Sequence, residues 1–303
     1  MKIKNNRNIY LFIIPAALFT LIFAYLPMFG IVMAFEDYNL FAGSNPITAL
    51  FASDWVGLEN FREIMGDPYF WNVFKNTIEI SLLKIFFVFP LPILLAILIN
   101  EIIWPNMKKV IQTIIYLPHF LSWVIVSGIW LTLLGGEGTL NSMLLDWGVI
   151  DEAIPFLTDN FLFRIVLIIT DAWKEIGWSA IIYLAAITGI DYQLYEAIKI
   201  DGGSKLQEIF YVTLPGIVST IVMMFILRIA SIMDAGFDQV FNMYSSFVYE
   251  GADIIGTYVY RLGLGQMEYS LATAIGLFNS IIGFTLVIIA NKLAKKFTGK
   301  SIW

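Results

Sequence analysis

The chain has 303 residues, of which 59% are hydrophobic, 16% aromatic and 14% charged, and its mean hydropathy is +0.78. A soluble domain carries roughly 25% charged residues, so this chain lacks the polar side chains to cover a soluble surface. The absence of cysteine excludes a disulfide scaffold, and the formal net charge of −6 argues against a nucleic-acid partner. The composition therefore indicates an integral membrane protein.

Six apolar stretches are long enough to cross a bilayer, because a helical span needs roughly 20 mostly apolar residues. In chain order they are Ile9–Phe35, Val73–Ile99, Ile111–Leu134, Phe161–Ile187, Val212–Met233 and Ser270–Ala290. Their apolar runs are continuous rather than alternating, so we expect an all-α fold without membrane strands. The first run is too long for a cleaved signal peptide and is expected to remain as a helix.

The positive residues predict the orientation of these spans. Eleven of the eighteen Lys and Arg residues fall in the N-terminus, the 2–3 connection, the 4–5 connection and the C-terminus, whereas the opposite loops contain only Arg62 and Arg261. Both termini are therefore predicted to be cytoplasmic. We divide the chain into residues 1–72, the first helix with an outer loop that contains a helix near Leu58–Met65, and residues 73–303, a five-helix core.

Enzyme chemistry has little support in the sequence. With no cysteine and a single histidine, His119, thiolate chemistry and a multi-histidine metal site within the chain are excluded. Gly299-Lys300-Ser301 imitates the end of a phosphate-binding loop, but Ala294 stands where that loop needs glycine. We expect no catalytic residue, metal site or cofactor in this chain, and we interpret His119 as a packed, hydrogen-bonded side chain.

The 4–5 connection, residues 191–215, has the pattern of a short helix held at the membrane surface. Asp191 is placed to cap an amphipathic helix, and Asp201-Gly202-Gly203 is placed to end it. From these residues alone, the helix either lies on lipid or offers a docking surface to another protein.

This connection resembles the EAA loop of permease subunits of binding-protein-dependent ABC importers. The family pattern is Glu-Ala-Ala, three residues, Gly, nine residues, Ile, one residue, Leu-Pro. The corresponding residues here are Glu196, Ala197, Ile198, Gly202, Val212, Leu214 and Pro215. Ile198 and Val212 are mild departures. The resemblance implies that the loop, with Asp201 beside Gly202 and with Leu214 and Pro215 after it, couples the chain to an ATPase.

Further segments are similar to the carbohydrate-uptake (maltose-type) group of this family and to its polysaccharide or aldouronate-type subgroup. They are Val56–Phe61, Phe70–Thr77, Tyr116–Trp123 and Trp173–Trp178. The resemblance implies a type I importer fold with six transmembrane helices in a bacterial cytoplasmic membrane. It also implies as partners a second, homologous permease, two ATPase subunits that hold ATP and Mg, an extracellular solute-binding lipoprotein and the carbohydrate itself.

The fourth span carries ionisable residues at membrane depth, where they are functional candidates because burying them in hydrocarbon is costly. Asp171, Lys174, Glu175 and Trp178 are spaced to share one helix face. One interpretation is a sugar site or gate, in which Trp173 and Trp178 stack on pyranose rings. The other is a self-neutralised Asp171–Lys174 ion pair that holds a permease heterodimer together.

Five further residues are weaker candidates for the pathway, namely Glu79, Lys84, Arg228, Asp234 and Asn279. The favoured function is a permease subunit of an ATP-driven importer of oligosaccharides or glycan fragments. The alternative is a secondary transporter or channel that uses the fourth-span charges as an ion relay. Such proteins usually have inverted repeats and broken helix pairs, and the sequence has neither.

Overall fold

The computed structural model describes residues 7–299 and 301, and this part of the chain is almost entirely helical. The α-helices are α1 (Arg7–Thr20), α2 (Pro46–Ala52), α3 (Glu59–Gly66), α4 (Pro68–Phe87), α5 (Pro90–Asn100), α6 (Pro105–Tyr116), α7 (Trp123–Leu134), α8 (Thr139–Asp146), α9 (Asn160–Thr188), α10 (Tyr192–Ile200), α11 (Lys205–Glu208), α12 (Leu214–Ala230), α13 (Phe237–Met243), α14 (Tyr249–Ala252), α15 (Ile255–Tyr260) and α16 (Tyr269–Thr298). Two short strands, β1 (Glu36–Asp37) and β2 (Asp54–Trp55), pair antiparallel.

Shorter helical segments of other types connect several of these elements. Five-residue π-helical turns are Leu21–Tyr25, Ile209–Thr213 and Arg261–Gly265. The 3-10 segments are Leu26–Phe35, Leu117–Phe120 and Ser246–Val248.

Five helical segments are long and apolar enough to cross a membrane. They are Leu11–Phe35, Pro68–Asn100, Trp123–Asp146, Lys205–Ala230 and Tyr269–Lys296. Large apolar side chains cover their outer faces, and Phe12, Phe86 and Phe284 are each more than two-thirds exposed. Apolar surface on this scale is typical of a protein solvated by lipid. The chain is therefore a multi-pass membrane protein.

Helix α9 differs from these five segments because it carries four ionisable residues. It has 29 residues, which is long enough to cross a bilayer, and the side chain of Asp159 caps its first free amides. The total of six spans and the cytoplasmic termini stay predictions. Lys2, Lys4 and Lys300, on which the predicted orientation partly rests, lie outside the described residues.

The third predicted span, Ile111–Leu134, is not one continuous helix. α6 ends at Tyr116, a 3-10 turn follows, and α7 begins after Ser122, whose hydroxyl accepts from the Ile125 amide at 3.4 Å. Pro118 explains the break, because its missing N–H and fixed φ interrupt a helical hydrogen-bond ladder. The interruption exposes backbone carbonyl groups that other side chains can reach.

The contacts within the chain divide it into two compact units. One unit contains the residues up to Phe70 together with Tyr258–Asn279, and the other contains Trp71–Thr257 and the chain from Ser280 onward. The predicted boundary between residues 72 and 73 stays a prediction.

In the first unit, a buried asparagine organises the loop after the first helix. Asn60 donates from Nδ2 to the carbonyl oxygens of Ala34 at 3.1 Å and Glu36 at 3.0 Å, which ties α3 to β1. Burial also raises the pKa of the Glu36 carboxyl. The bounds of α3, Glu59–Gly66, agree with the helix that the sequence predicts near Leu58–Met65.

The second unit is built around α9. Helix α5 packs along it through Ala96 and Ala180, both completely buried, because small residues let membrane helices approach closely. A second apolar cluster, which includes Phe163, Leu167 and Val240, surrounds the other half of α9 with residues from α4, α7 and α13.

Arg164 fixes the beginning of α9 to its neighbours. Its guanidinium donates to the Gly251 carbonyl at 2.6 Å, to Glu79 at 2.8 Å and to the Asn76 side chain at 2.8 Å. These three bonds join α4, α9 and α14. Arg164 is therefore a structural ion-pair residue, although the sequence offers no sign that separates it from the candidates deeper in α9.

Gly177 allows α6 to lie against the middle of α9. A Cβ atom at this position would stand 2.1 Å from the carbonyl oxygen of Ile115, far inside van der Waals contact. Any side chain at residue 177 must therefore move the backbone of α6, together with the 3-10 turn that follows it.

We predict that Gly177→Ala destabilises the protein by about 1–3 kcal/mol, the usual cost of overpacking. The measurement is the thermal unfolding midpoint of the purified protein in detergent. Gly128→Ala in α7 is the matched control, because nothing lies within 4 Å of the added methyl group. A midpoint for Gly177→Ala equal to that of Gly128→Ala would contradict the prediction.

Candidate functional site

The predicted coupling loop folds as a helix, a glycine turn and a second short helix. Asp191 accepts from the Gln193 amide at 3.0 Å and so caps α10. Gly202 ends that helix with a φ of 75°, in the left-handed region that favours glycine. Ser204 and Gln207 form a capping box at the start of α11. These local bonds give the loop a defined shape without help from any other chain.

Side-chain bonds fasten this loop to the ends of two membrane helices. Lys205 lies 2.9 Å from Glu101, at the end of α5, and 2.6 Å from Glu208. Tyr195 in α10 shares a hydrogen bond of 3.0 Å with Thr213, directly before α12. The loop is therefore bonded to the end of α5 through Lys205 of α11 and to the start of α12 through Tyr195 of α10.

The outer face of α10 is apolar and uncovered. Leu194 and Ile200 are 52% and 85% exposed, and no atom lies within 4 Å of a Cβ built on Gly202. Glu196 and Ala197 are also exposed, whereas Ile198 is half-buried. Apolar side chains around an open turn form a surface suited to a docking protein.

The other predicted coupling residues lie at the end of α10 and at the start of α12. Asp201 follows the last residue of α10, while Leu214 and Pro215 form the first turn of α12. Lys199 reaches Glu208 at 3.9 Å, so the polar side of α10 is joined to α11.

On α9, Lys174 and Glu175 are held by the turn that breaks the third predicted span. Lys174 donates to the carbonyl oxygen of His119 at 2.7 Å and lies 3.2 Å from Glu175. The other Glu175 oxygen lies 2.8 Å from His119 Nδ1. The 3-10 turn thus supplies both a carbonyl and an imidazole to the charged face. His119 is packed and hydrogen-bonded, as the sequence indicates.

Trp173 and Trp178 point to different neighbours. Trp178 stacks on His119 with a centroid distance of 4.5 Å, and Trp173 meets Trp130 edge-on at 6.0 Å. Trp173 and Trp178 are 39% and 41% exposed. Asn279 lies in α16, within the first unit, and is half-buried.

The structure contradicts the predicted Asp171–Lys174 ion pair. Asp171 instead pairs with Arg228 of α12 at 3.2 Å and with Lys84 of α4 at 3.5 Å. The spacing of three residues on one helix suggested a local pair, but Lys174 instead bonds to the His119 carbonyl in the break before α7 and pairs with Glu175, its neighbour on α9. Asp171 is then free to join α9 to two other helices.

Lys84 is buried in a cradle formed by the chain after α12. Its side chain is 2% exposed, and Nζ donates to the Ala235 carbonyl at 3.0 Å and to the Gln239 side chain. Gly236, with a φ of 84°, makes room, because a Cβ there would lie 2.5 Å from Nζ. Gln239 is held in turn by the Leu167 carbonyl at 2.7 Å.

Two cavities meet at the Asp171–Arg228 ion pair. The larger, of about 230 Å³, lies toward α5 and is lined by Phe89, Glu175 and Ser179, among others. The smaller, of about 70 Å³, lies toward the Lys84 cradle. Asp171, Arg228 and Ser231 line both cavities. With a rise of ~1.5 Å per residue, Asp171 lies ~17 Å along α9, close to its middle.

The sequence predicts Lys84 and Arg228 as weaker candidates than the α9 residues because each lies nearer the end of a span or lacks a comparable group of charges around it. The sequence does contain a signal for both residues, because a cation inside an apolar span needs a carboxylate partner. Asp171 lies at a comparable depth. Glu79 belongs with Arg164, and Asp234 lines the smaller cavity.

No family model matches the chain. It is 43% identical to the polygalacturonan/rhamnogalacturonan transport system permease protein YteP of Bacillus subtilis (strain 168), an alignment that covers 100% of this chain and 92% of that protein. The arabinooligosaccharides transport system permease protein AraP of the same strain is 26% identical, with coverages of 96% and 90%.

A solved structure supports the same relationship. The chain is similar to the structure of a bacterial ABC transporter involved in the import of the acidic polysaccharide alginate, with 38% identity and a TM-score of 0.89, covering 98% of both chains. A second structure of a bacterial alginate ABC transporter, in complex with a periplasmic protein bound to an alginate pentasaccharide, matches equally well. These relatives are transport subunits, so the alternatives of an enzyme and of a secondary transporter are not supported. The chain belongs to the permease family of binding-protein-dependent ABC importers, in its carbohydrate-uptake group.

Proposed function

We propose that this chain is one of two permease subunits that carry oligosaccharides or glycan fragments across a bacterial cytoplasmic membrane. A homologous permease completes the pathway, two ATPase subunits dock on the cytoplasmic side, and an extracellular solute-binding lipoprotein delivers the sugar. The names of its relatives support a carbohydrate substrate. The 38%-identical transporter is involved in the import of an acidic polysaccharide, which favours an acidic sugar here.

The observation that carries this proposal is a group of charged and hydroxyl-bearing residues in the largely apolar wall of the larger cavity along α9. Asp171 and Glu175 face a space of about 230 Å³ that Arg228 also lines, and hydroxyl groups of Ser179 and Ser231 lie at its wall. Carboxylates, a guanidinium and hydroxyls are suited to binding the hydroxyl groups of a sugar. Charged groups inside a membrane protein are placed at such cavities rather than against lipid.

In this proposal the ATPases drive transport through the loop from Glu196 to Gly202. The exposed apolar face of α10 seats in a cleft of one ATPase subunit, whose closure moves the loop. Because the loop is bonded to α5 and α12, the movement reaches two of the helices that bound the larger cavity. ATP and Mg bind to the ATPase subunits, and the chain contributes the moving element.

We predict that Gly202→Asp abolishes uptake while the permease still inserts into the membrane. A charged side chain at the open turn blocks close approach of the ATPase, and the left-handed φ adds strain. The measurements are ATPase co-purification and uptake of labelled oligosaccharide in proteoliposomes.

Gly148→Asp is the matched control for this experiment. Gly148 has a similar φ of 65° and equally open surroundings, but it lies in the connection between α8 and α9. This control should keep its ATPase and its uptake. Normal ATPase co-purification and normal uptake by Gly202→Asp would contradict the docking proposal.

We predict that Glu175→Gln lowers uptake by about 10- to 150-fold at the sugar-binding step, the effect of losing a hydrogen bond to a charged group. The yield of assembled complex and its basal ATPase rate should stay near normal. Trp178→Ala should also lower uptake with a normal yield of complex, because the Trp178 ring is proposed to stack on the sugar.

Glu79→Gln is the matched control, because Glu79 is similarly exposed and ion-paired but lines neither cavity. It should reduce complex stability before it affects uptake per complex. If Glu175→Gln instead loses the complex as Glu79→Gln does, Glu175 serves assembly rather than transport.

A further inference from the structure

Arg228 differs from the cations Lys84, Arg164 and Lys174 because most of its donors are unused. Its side chain is 34% exposed, and its one hydrogen bond to the described part of the chain is that from Nη2 to Asp171 at 3.2 Å. A guanidinium has five N–H donors in a rigid fork that fits a carboxylate at two points. Arg228 therefore has the chemistry of a carboxylate-binding residue with a single bond in place.

Asp171 does not depend on Arg228 for its charge balance. Lys84 lies 3.5 Å from its other oxygen and is fixed in place by Ala235 and Gln239. If Arg228 leaves, the Asp171 carboxylate keeps a buried cation as its partner, and the high cost of an unpaired buried charge is avoided.

The two other carboxylates that line these cavities have partners of their own. Glu175 is held by Lys174 and His119 at 3.2 and 2.8 Å. Asp234 is exposed, and its Oδ1 accepts from the Phe237 amide at 3.1 Å. Asp171 is thus the carboxylate that holds Arg228, and it holds Arg228 by one bond where the two cavities meet.

We propose that Arg228 is the residue that binds the carboxylate of an acidic sugar, and that its guanidinium exchanges Asp171 for the sugar at the larger cavity. This inference rests on the proposed function and assigns a uronate as the substrate class of the same site. One carboxylate replaces another on the guanidinium, so the exchange is nearly balanced. Balanced binding suits a transporter, because a site must admit its substrate and also release it.

The test is direct binding of two trisaccharides to the assembled importer in lipid nanodiscs, without the solute-binding protein, by saturation-transfer NMR. The probes are trigalacturonate and its carboxyl-reduced counterpart, which has the same linkage and size. Wild type should bind trigalacturonate at least 10-fold more tightly than the reduced sugar. Arg228→Gln should weaken trigalacturonate binding by about 10- to 150-fold and leave the reduced sugar unchanged. The affinity of Arg228→Lys for trigalacturonate should lie between the affinities of wild type and Arg228→Gln.

Arg164→Gln is the matched control, because that arginine has three partners and a purely structural position. It should lower complex yield and leave the affinity of the surviving complex unchanged. Three results would each overturn the inference. Wild type binds both sugars with equal affinity, wild type does not bind trigalacturonate, or Arg228→Gln loses the same affinity for both sugars. If Arg228→Gln fails to assemble, the inference is tested by the affinities of wild type for the two sugars and by the affinity of Arg228→Lys for trigalacturonate. If one of these results overturns the inference, ATP-driven uptake of a neutral trisaccharide would still support the proposed function.

Discussion

Four charged groups on the long helix α9 set the conditions that the rest of the second unit meets. Arg164, Asp171, Lys174 and Glu175 follow one another along α9, and each would cost several kcal/mol if left unpaired in hydrocarbon. None of their side chains is more than 29% exposed. Each has a partner from another part of the chain, and those partners come from α4, α12, α14 and the turn before α7.

Bringing these partners within hydrogen-bond distance requires close packing of backbones. Gly177 admits the carbonyl of Ile115, and Gly236 admits the ammonium group of Lys84. Ala96 and Ala180 allow a similarly close approach of α5 to α9, within an apolar cluster. Lipid tails are as apolar as the side chains on a helix surface, so burying those side chains does little to bring two membrane helices together. Close packing and hydrogen bonds between helices therefore hold them together more than hydrophobic burial does. The charges therefore explain why glycine occupies positions 177 and 236.

Much of this arrangement could be predicted from the sequence. Hydropathy located the apolar spans, and Asp191 with Gly202 marked the ends of α10, because capping is a local effect. The spacing of Asp171, Lys174 and Glu175 correctly indicated a charged face. The sequence did not identify the partners of that face, since the pairing of Asp171 with Lys84 and Arg228 depends on how three helices meet. It also missed the break after α6, where Pro118 interrupts a run that hydropathy alone treats as continuous.

In the proposed mechanism, the space beside the Asp171–Arg228 ion pair is a water-filled part of the pathway. The natural chain has no cysteine, so single cysteines can be probed with a membrane-impermeant, charged methanethiosulfonate. Ser231→Cys, which lines both cavities, should react rapidly and be protected by trigalacturonate, because thiolate forms only where water reaches it. Leu82→Cys, on the apolar face of α4, should stay unmodified. Equal reactivity at both positions, or no reaction at Ser231→Cys, would contradict this claim.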